Sequence, residues 1–93
     1  SNPAMVATAK LKIVNKAGLH ARASTKFVQL ANKYRCNVTV GKDDQEVNGK
    51  SIMGLMMLAL TRDTRIMVIA EGEREEEAVA ALCALVENSF IEA

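Results

Sequence analysis

The spacing of apolar and polar residues changes along this chain of 93 residues, and each change predicts a new element. Apolar and polar positions alternate over residues 8–14, which is typical of a half-buried strand. From residue 21 to about residue 34, apolar side chains recur at helical spacing and predict an amphipathic helix. His20 therefore lies at the N-terminal end of the first predicted helix.

The rest of the chain predicts a hairpin, a short helix, a strand and a final helix. These elements are expected at residues 37–40 and 45–48 around a turn at 41–44, then at 52–60, at 66–70 and from 74 to about 89. Ser51 immediately precedes the second helix as its expected N-cap. The order βαββαβα predicts an α+β fold, with helices packed on one face of an antiparallel sheet and the other face open to solvent.

The second predicted helix is apolar at nearly every position. Between Ser51 and Leu60 only Gly54 interrupts the apolar run, which contains three methionines. A two-layer protein of this size cannot cover every side of such a helix, so part of it is expected to be exposed. An exposed apolar patch usually contacts another macromolecule, and flexible methionine side chains adapt to several partners. The alternative is an unusually buried helix in which methionine fills gaps in the core.

Length and composition limit the possible functions. The chain is expected to form one domain over residues 7–91, with residues 1–6 as a disordered N-terminus or cloning remnant. So short a chain leaves little room for a deep substrate cavity. A formal net charge of +1 and an aromatic content of 3% argue against nucleic-acid binding.

Cellular location and metal binding are also constrained by the sequence. Cys36 and Cys83 lie in apolar segments without a Cys-x-x-Cys pair, which favours buried thiols in a reducing cytoplasm. With a single histidine, no cluster of zinc ligands is expected. No apolar run is long enough to span a bilayer, and the N-terminus does not resemble a signal peptide. A cytoplasmic protein without membrane insertion, metal or bound cofactor is therefore predicted.

Candidate chemistry is concentrated in the segment Gly18-Leu19-His20-Ala21-Arg22-Ala23-Ser24. The N-terminus of a helix presents unpaired N–H groups and partial positive charge, which together attract anions. His20 would place a ring nitrogen beside those donors, and Arg22 adds a planar cation suited to phosphate oxygens. Because neutral imidazole is a nucleophile, the segment predicts a phosphoryl acceptor.

Four neighbouring positions are expected to support His20: Gly18, Ala21, Ala23 and Ser24. Gly18 allows the loop to pass close to the site, and Ser24 offers a further hydroxyl donor. The alternative is that His20 is only a surface residue or a helix cap. A free-standing enzyme is disfavoured because no orienting carboxylate is evident. A phosphate-binding Walker loop is disfavoured too, because Asp44 stands where its first glycine would be.

The segment over residues 18–22 and the helix that follows resemble the phosphohistidine signature of the HPr family. Members of this family are phosphocarriers of the bacterial phosphoenolpyruvate-dependent phosphotransferase system. Residues 50–56, Lys-Ser-Ile-Met-Gly-Leu-Met, resemble the second signature of the family, around its regulatory serine. The likeness extends over about residues 8–90. It implies an open-faced β-sandwich, in which three helices lie on one side of a four-stranded antiparallel sheet.

The resemblance also implies roles for individual residues. His20 would accept a phosphoryl group from Enzyme I, with phosphoenolpyruvate as the ultimate donor, and pass it to a IIA protein or domain in sugar uptake. Arg22 would be the arginine of the active centre. Ser51 would be the target of the HPr kinase/phosphorylase in bacteria that have it, although helix capping alone would also account for a serine there. The docking surface for partners would comprise Ile52, Met53 and Met56.

The chain departs from the family pattern at two positions. Ala23 replaces a proline found in many members, and Ala17 replaces a polar residue found in some. A branch of the family with glutamine at the histidine position is regulatory only, and His20 argues against that branch. Two alternatives stay open: a nitrogen-branch phosphocarrier with a regulatory output, and a docking module that functions without phosphorylation. A monomer is expected, since a carrier must expose one face to successive partners.

Overall fold

The computed structural model describes residues 6–91, which form four strands and three helices in the predicted order. The elements are β1 (Val6–Lys12), α1 (Ala21–Ala31), β2 (Asn37–Lys42), β3 (Gln45–Asn48), α2 (Ile52–Met57), β4 (Arg65–Glu71) and α3 (Glu75–Glu87). The predicted tail lies outside the described residues as far as residue 5. Its predicted end at residue 6 is wrong, because Val6 pairs with Glu71 and begins β1.

The strands form one antiparallel sheet in the order β1-β4-β2-β3. Side chains on one face are buried beneath the helices, as the alternation in β4 shows: Ile66, Val68 and Ala70 are buried. The intervening side chains lie on the opposite face, which is open to solvent. This architecture confirms the predicted α+β fold with an open-faced sheet.

The core fills the space between the inner face of the sheet and the helices. Phe27 of α1, Leu82 of α3 and Val40 of β2 are among its fully buried side chains. Val28 and Ser24 also belong to the buried face of α1. The buried side chains of α1 anchor this helix in the core, and the helix in turn fixes the position of His20 at its N-terminus.

Several boundaries differ from those predicted. Strand β1 covers residues 6–12 instead of 8–14, and β4 and α3 differ by one or two residues at their ends. Helix α1 ends at Ala31, and α2 ends at Met57 because Ala59 adopts a left-handed conformation (φ = 51°) that reverses the chain. Strand β2 continues through Gly41 and Lys42, which were expected in the turn. The turn is tighter than expected, because Asp43 adopts φ = 55° and allows Lys42 to pair with Gln45.

Among residues 6–91, no helix has the length and hydropathy needed to cross a bilayer.

Candidate phosphoryl-acceptor site

The loop that precedes His20 is held against the segment that follows α2. The Leu19 N–H donates to the Leu60 carbonyl at 2.8 Å. Gly18 adopts φ = 68°, and a Cβ at this position would lie 2.5 Å from the same carbonyl oxygen. Only glycine combines this backbone conformation with so close an approach. The sequence predicted a close approach of the loop at Gly18, and the structure shows it as a tightly packed contact with the segment after α2.

Asn15 also stabilises this loop, a contribution that sequence analysis missed. Its side-chain Nδ2 donates to the Gly18 carbonyl at 2.6 Å, and its backbone carbonyl accepts from the Gly18 N–H at 3.1 Å. The Oδ1 atom of Asn15 is buried and has no hydrogen-bond partner among residues 6–91. Asparagine two or three residues before a positive-φ glycine is a common turn signal and would have identified this contact.

His20 is the N-cap residue of α1. Its backbone is extended, and its carbonyl accepts the first helical hydrogen bond from the Ser24 N–H at 2.8 Å. The Nδ1 atom of its ring accepts from the Ala23 N–H at 3.4 Å, which is long for such a bond. This contact assigns the lone pair to Nδ1 and, in the neutral ring, the proton to Nε2. The histidine is exposed, so its ring is accessible to a partner protein.

The surroundings of the ring favour an anion. The backbone N–H groups of Ala21 and Arg22 have no hydrogen-bond acceptor in the described part of the chain. The Arg22 side chain is exposed and makes no ion pair or hydrogen bond with residues 6–91. No acidic residue occupies the first turn of α1. Among residues 6–91, the first turn of α1 therefore carries both unpaired N–H donors and an arginine without an ion pair.

Ser24 does not contribute the hydroxyl donor that the sequence suggested. Its side chain is fully buried, and its Oγ donates to the Leu19 carbonyl at 3.1 Å. The expectation was wrong because position 24 lies on the inner face of α1, three residues before Phe27. The serine instead fixes the loop to the helix directly beneath His20.

A second functional surface begins at Ser51, the N-cap of α2. Its Oγ accepts from the Gly54 N–H at 2.9 Å, which confirms the predicted cap. The exposed apolar side chains of α2 form what we term the methionine patch: Ile52 (39% exposed), Met53 (74%), Met56 (46%) and Met57 (75%). All of these except Met57 were expected in the docking surface from the family resemblance. The expected exposure of part of α2 is therefore confirmed, and α2 contacts α1.

This geometry defines a class: a small open-faced sheet protein that presents a histidine at a helix start, near an exposed apolar patch. Comparison with known proteins identifies the family. A family model described as the PTS HPr component phosphorylation site matches residues 7–88. The phosphocarrier protein HPr of Pseudomonas aeruginosa is 49% identical over 84 residues, which cover 89% of this chain and 93% of that protein.

Solved structures agree with this match. The structure of HPr-C-His from Thermoanaerobacter tengcongensis superimposes with a TM-score of 0.89 at 44% identity, covering 94% of this chain and 98% of that one. A structure of an HPr dimer from the same organism has a TM-score of 0.74 at 46% identity, covering 88% and 94%. The chain belongs to the HPr family, the phosphocarrier proteins of the phosphotransferase system.

Proposed function

We propose that this protein accepts a phosphoryl group on Nδ1 of His20 from phospho-Enzyme I and passes it to a IIA protein or domain in sugar uptake. The observation that carries the proposal is the position of Nδ1 at the start of α1, beside the unpaired N–H groups of Ala21 and Arg22. Phosphoenolpyruvate is the ultimate donor, through Enzyme I. The carrier itself needs no bound cofactor in this scheme.

The transfer step uses the lone pair of Nδ1. A small rotation of the ring releases the 3.4 Å contact with the Ala23 N–H, and Nδ1 attacks phosphorus. The N–P bond forms while the bond from phosphorus to Enzyme I breaks, and the departing atom of Enzyme I keeps that electron pair. The phosphoryl oxygens then accept hydrogen bonds from the backbone N–H groups at the helix start. Transfer to the IIA protein reverses these steps with a new acceptor.

Arg22 would stabilise the transferred group without taking part in bond formation. Its guanidinium presents a planar set of donors that matches phosphate oxygens, and it is not committed to any carboxylate among residues 6–91. Because the side chain is exposed, its contribution in water is modest until a partner protein covers the site. Arg22 is therefore expected to act most strongly in the complexes with Enzyme I and the IIA protein.

The methionine patch is the proposed docking surface for these partners. The resemblance to the HPr family implies this role for Ile52, Met53 and Met56, and the exposed Met57 extends the surface. An apolar surface that is exposed in the free protein is buried when a complementary partner binds, which supplies binding energy. Flexible thioethers suit a protein that must bind Enzyme I and a IIA protein in turn.

The decisive experiment is an intact-mass measurement after incubation with Enzyme I and phosphoenolpyruvate. We expect a gain of about 80 Da, the mass of one phosphoryl group, that is lost in acid and is absent in His20→Ala. Ser51→Ala is the matched control and should gain the same mass, since it leaves the site at α1 intact. A gain that persists in His20→Ala would disprove the role of this histidine.

Two alternatives are separated by the same assay. Transfer from the nitrogen-branch Enzyme I, with none from the sugar-branch enzyme, would assign a regulatory nitrogen-branch carrier. The exposed methionine patch also fits a docking module that functions without phosphorylation. That alternative requires partner binding and regulation to survive His20→Ala and predicts no acid-labile mass with either Enzyme I.

Regulation at Ser51 is a further element of the proposal. Its Oγ is held by the Gly54 N–H, so phosphorylation by an HPr kinase/phosphorylase would have to replace this cap. The phosphate would place about two negative charges beside the methionine patch and weaken docking. Incubation with the kinase and ATP should give an acid-stable mass gain that is absent in Ser51→Ala. No acid-stable gain in the parent protein would leave Ser51 with its capping role alone.

Oligomeric state and location complete the proposal. We propose a monomer in the cytoplasm, where Enzyme I and the IIA protein can reach the same face in succession. The related HPr dimer from Thermoanaerobacter tengcongensis makes self-association the alternative to test. Sedimentation equilibrium of the free protein should give a mass near 10.1 kDa, and twice that mass would contradict the monomer.

A further inference from the structure

An open groove crosses the solvent face of the sheet, opposite the helices and therefore away from His20. Its volume is about 370 Å³, within the range of sites that bind small molecules. Its lining includes the charged side chains of Lys10, Lys12, Arg65, Asp43 and Glu46. Gly41 and Met67 also line it. The proposed phosphoryl transfer uses none of these residues, so the groove raises a separate question.

Cations converge at one end of the groove in an unfavourable arrangement. Lys12 lies directly opposite Arg65 in the β1–β4 register, and Lys10 lies two residues away on the same face of β1. None of the three forms an ion pair with any residue from 6 to 91. Like charges at directly opposed positions of a sheet destabilise it. A bound dianion would relieve this repulsion, so this end of the groove favours an anionic ligand.

The middle of the groove exists because residue 41 is glycine. In the sheet register Gly41 lies between Met67 of β4 and Glu46 of β3. A Cβ here would lie 3.6 Å from its nearest neighbours, an ordinary contact, and the backbone does not require glycine. The half-buried Met67 therefore forms an apolar floor beside a gap that any larger side chain at position 41 would fill.

Carboxylates lie at the other end of the groove. Glu46 lies at the end of the cross-strand row that begins with Lys10, about 14 Å away across three strand spacings. Asp43 lies in the adjacent hairpin turn, and both carboxylates are exposed. Carboxylates only accept hydrogen bonds when ionised, so this end favours a ligand with hydroxyl donors.

We propose that the groove binds a small phosphate monoester whose organic part is a polyhydroxylated ring or chain. The phosphate lies against Lys10, Lys12 and Arg65, where its charge matches the cations. The carbon skeleton covers Met67 in the space left by Gly41, and the hydroxyl groups donate to Asp43 and Glu46. Binding is independent of His20, because the two sites lie on opposite faces of the sheet.

The test is a ¹⁵N–¹H correlation titration of the whole chain with glucose 6-phosphate, inorganic phosphate and glucose as separate probes. With glucose 6-phosphate, the amides of Lys10, Gly41, Arg65 and Met67 should shift and saturate. Inorganic phosphate should bind there about tenfold more weakly, and glucose should cause no saturable shift. The double variant H20A/R22A should give the same groove shifts, which separates this result from any failure of the phosphocarrier proposal.

Matched variants identify the groove as the site. Gly41→Val, which fills the gap with a residue suited to strands, and Lys12→Gln should each weaken glucose 6-phosphate binding at least tenfold. Glu46→Gln should weaken glucose 6-phosphate binding about threefold without weakening inorganic phosphate. Lys33→Gln, at an exposed position beyond the end of α1, should change nothing.

Three results would overturn the proposal. Glucose 6-phosphate could shift only the amides near residues 20–23, or bind no more tightly than inorganic phosphate, or bind equally well to the parent and Lys12→Gln. If Gly41→Val does not fold, Lys12→Gln and Glu46→Gln still decide the question, since both lie on the exposed face and keep the backbone unchanged.

Discussion

Helices α1 and α2 begin in the same way and differ in how firmly the first residue is held. At α1 the His20 Nδ1 atom accepts the Ala23 N–H at 3.4 Å, and at α2 the Ser51 Oγ atom accepts the Gly54 N–H at 2.9 Å. The second distance lies within the usual range of such bonds and the first lies beyond it. A well-formed cap stabilises its helix, whereas a loose one leaves a nitrogen lone pair available for chemistry.

The surroundings of the two helix starts differ in the same sense. Around His20 lie unpaired N–H groups and the free guanidinium of Arg22, which suit a transferred anion. After Ser51 comes the methionine patch, which suits a protein partner. One helix start is thus equipped for reaction and its neighbour for recognition. The contact between α1 and α2 places these two functions in one region of the surface.

The largest expected difference between the two starts concerns their glycines. Gly18→Ala forces a positive φ on alanine and drives its Cβ against the Leu60 carbonyl, so we expect a loss of about 2 to 4 kcal/mol in unfolding free energy. Gly54→Ala is the matched control. Its Cβ would meet the side chains of Ser51 at 3.2 Å and Val47 at 3.3 Å, and the gain in helix propensity offsets these contacts. Urea denaturation measures both, and equal losses would contradict the comparison.

The next effect concerns the cation near His20. Arg22→Ala should slow phosphoryl transfer from Enzyme I about tenfold, equivalent to about 1.4 kcal/mol, while leaving the unfolding free energy unchanged. Lys33→Ala, which also removes an exposed cation, should leave the rate unaltered. Rapid-quench kinetics with radiolabelled phosphoenolpyruvate measures the rate. Equal slowing in both variants would show that net charge matters and the position of Arg22 does not.

A smaller effect distinguishes the two caps themselves. Ser51→Ala should cost about 1 kcal/mol of stability, the usual value for loss of a serine cap, whereas His20→Ala should cost only a few tenths. Thermal unfolding followed by circular dichroism gives both values under identical conditions. If His20→Ala were the more destabilising, the histidine would be a structural cap, and the contrast drawn from the bond lengths would be wrong.

The smallest expected effect is a pH dependence of stability that arises on α3, outside both helix starts. Cys83 on α3 is half-buried, whereas the sequence predicted a buried thiol. This partial burial raises the pKa of the thiol, with a further contribution from the charge of Glu87. Because the folded state holds the thiol proton more tightly than the unfolded state, the contribution of Cys83 to the unfolding free energy is fully present below the usual thiol pKa. That effect is lost as the pH rises through the folded value. The difference in stability between the parent and Cys83→Ala, measured by urea denaturation, should therefore decrease between pH 8 and pH 11. A constant difference would contradict this assignment.

Periodicity predicted the elements of the fold well, and it failed where a backbone conformation intervened. The alternation over residues 8–14 places Ile13 in the core and Leu11 partly buried against it, and the helical spacing places Phe27 in the core. The end of α2 was placed too late, because an apolar run does not reveal that Ala59 adopts a positive φ. Periodicity also did not predict the order of strands in the sheet, because strand pairing depends on contacts between distant segments.

The sequence predicted where the candidate site lies in the fold and only part of its geometry. The motif placed His20 at a helix start, but its sequence does not specify which ring nitrogen faces the backbone N–H groups. Ser24 was misjudged because a small hydroxyl side chain is tolerated on a buried helix face when a nearby carbonyl accepts its proton, here that of Leu19. Polarity alone cannot distinguish that position from an exposed donor.

The pairing of β1 with β4 has a consequence for the time at which the molecule becomes competent. These strands join residues more than fifty positions apart, and the loop before His20 is held by the carbonyl of Leu60. Contacts of such separation form late, because a long loop must close before they yield any gain. A growing chain would thus display its histidine early but acquire the arrangement around it only after β4 has been made. A chain that is still being translated would therefore lack the folded site.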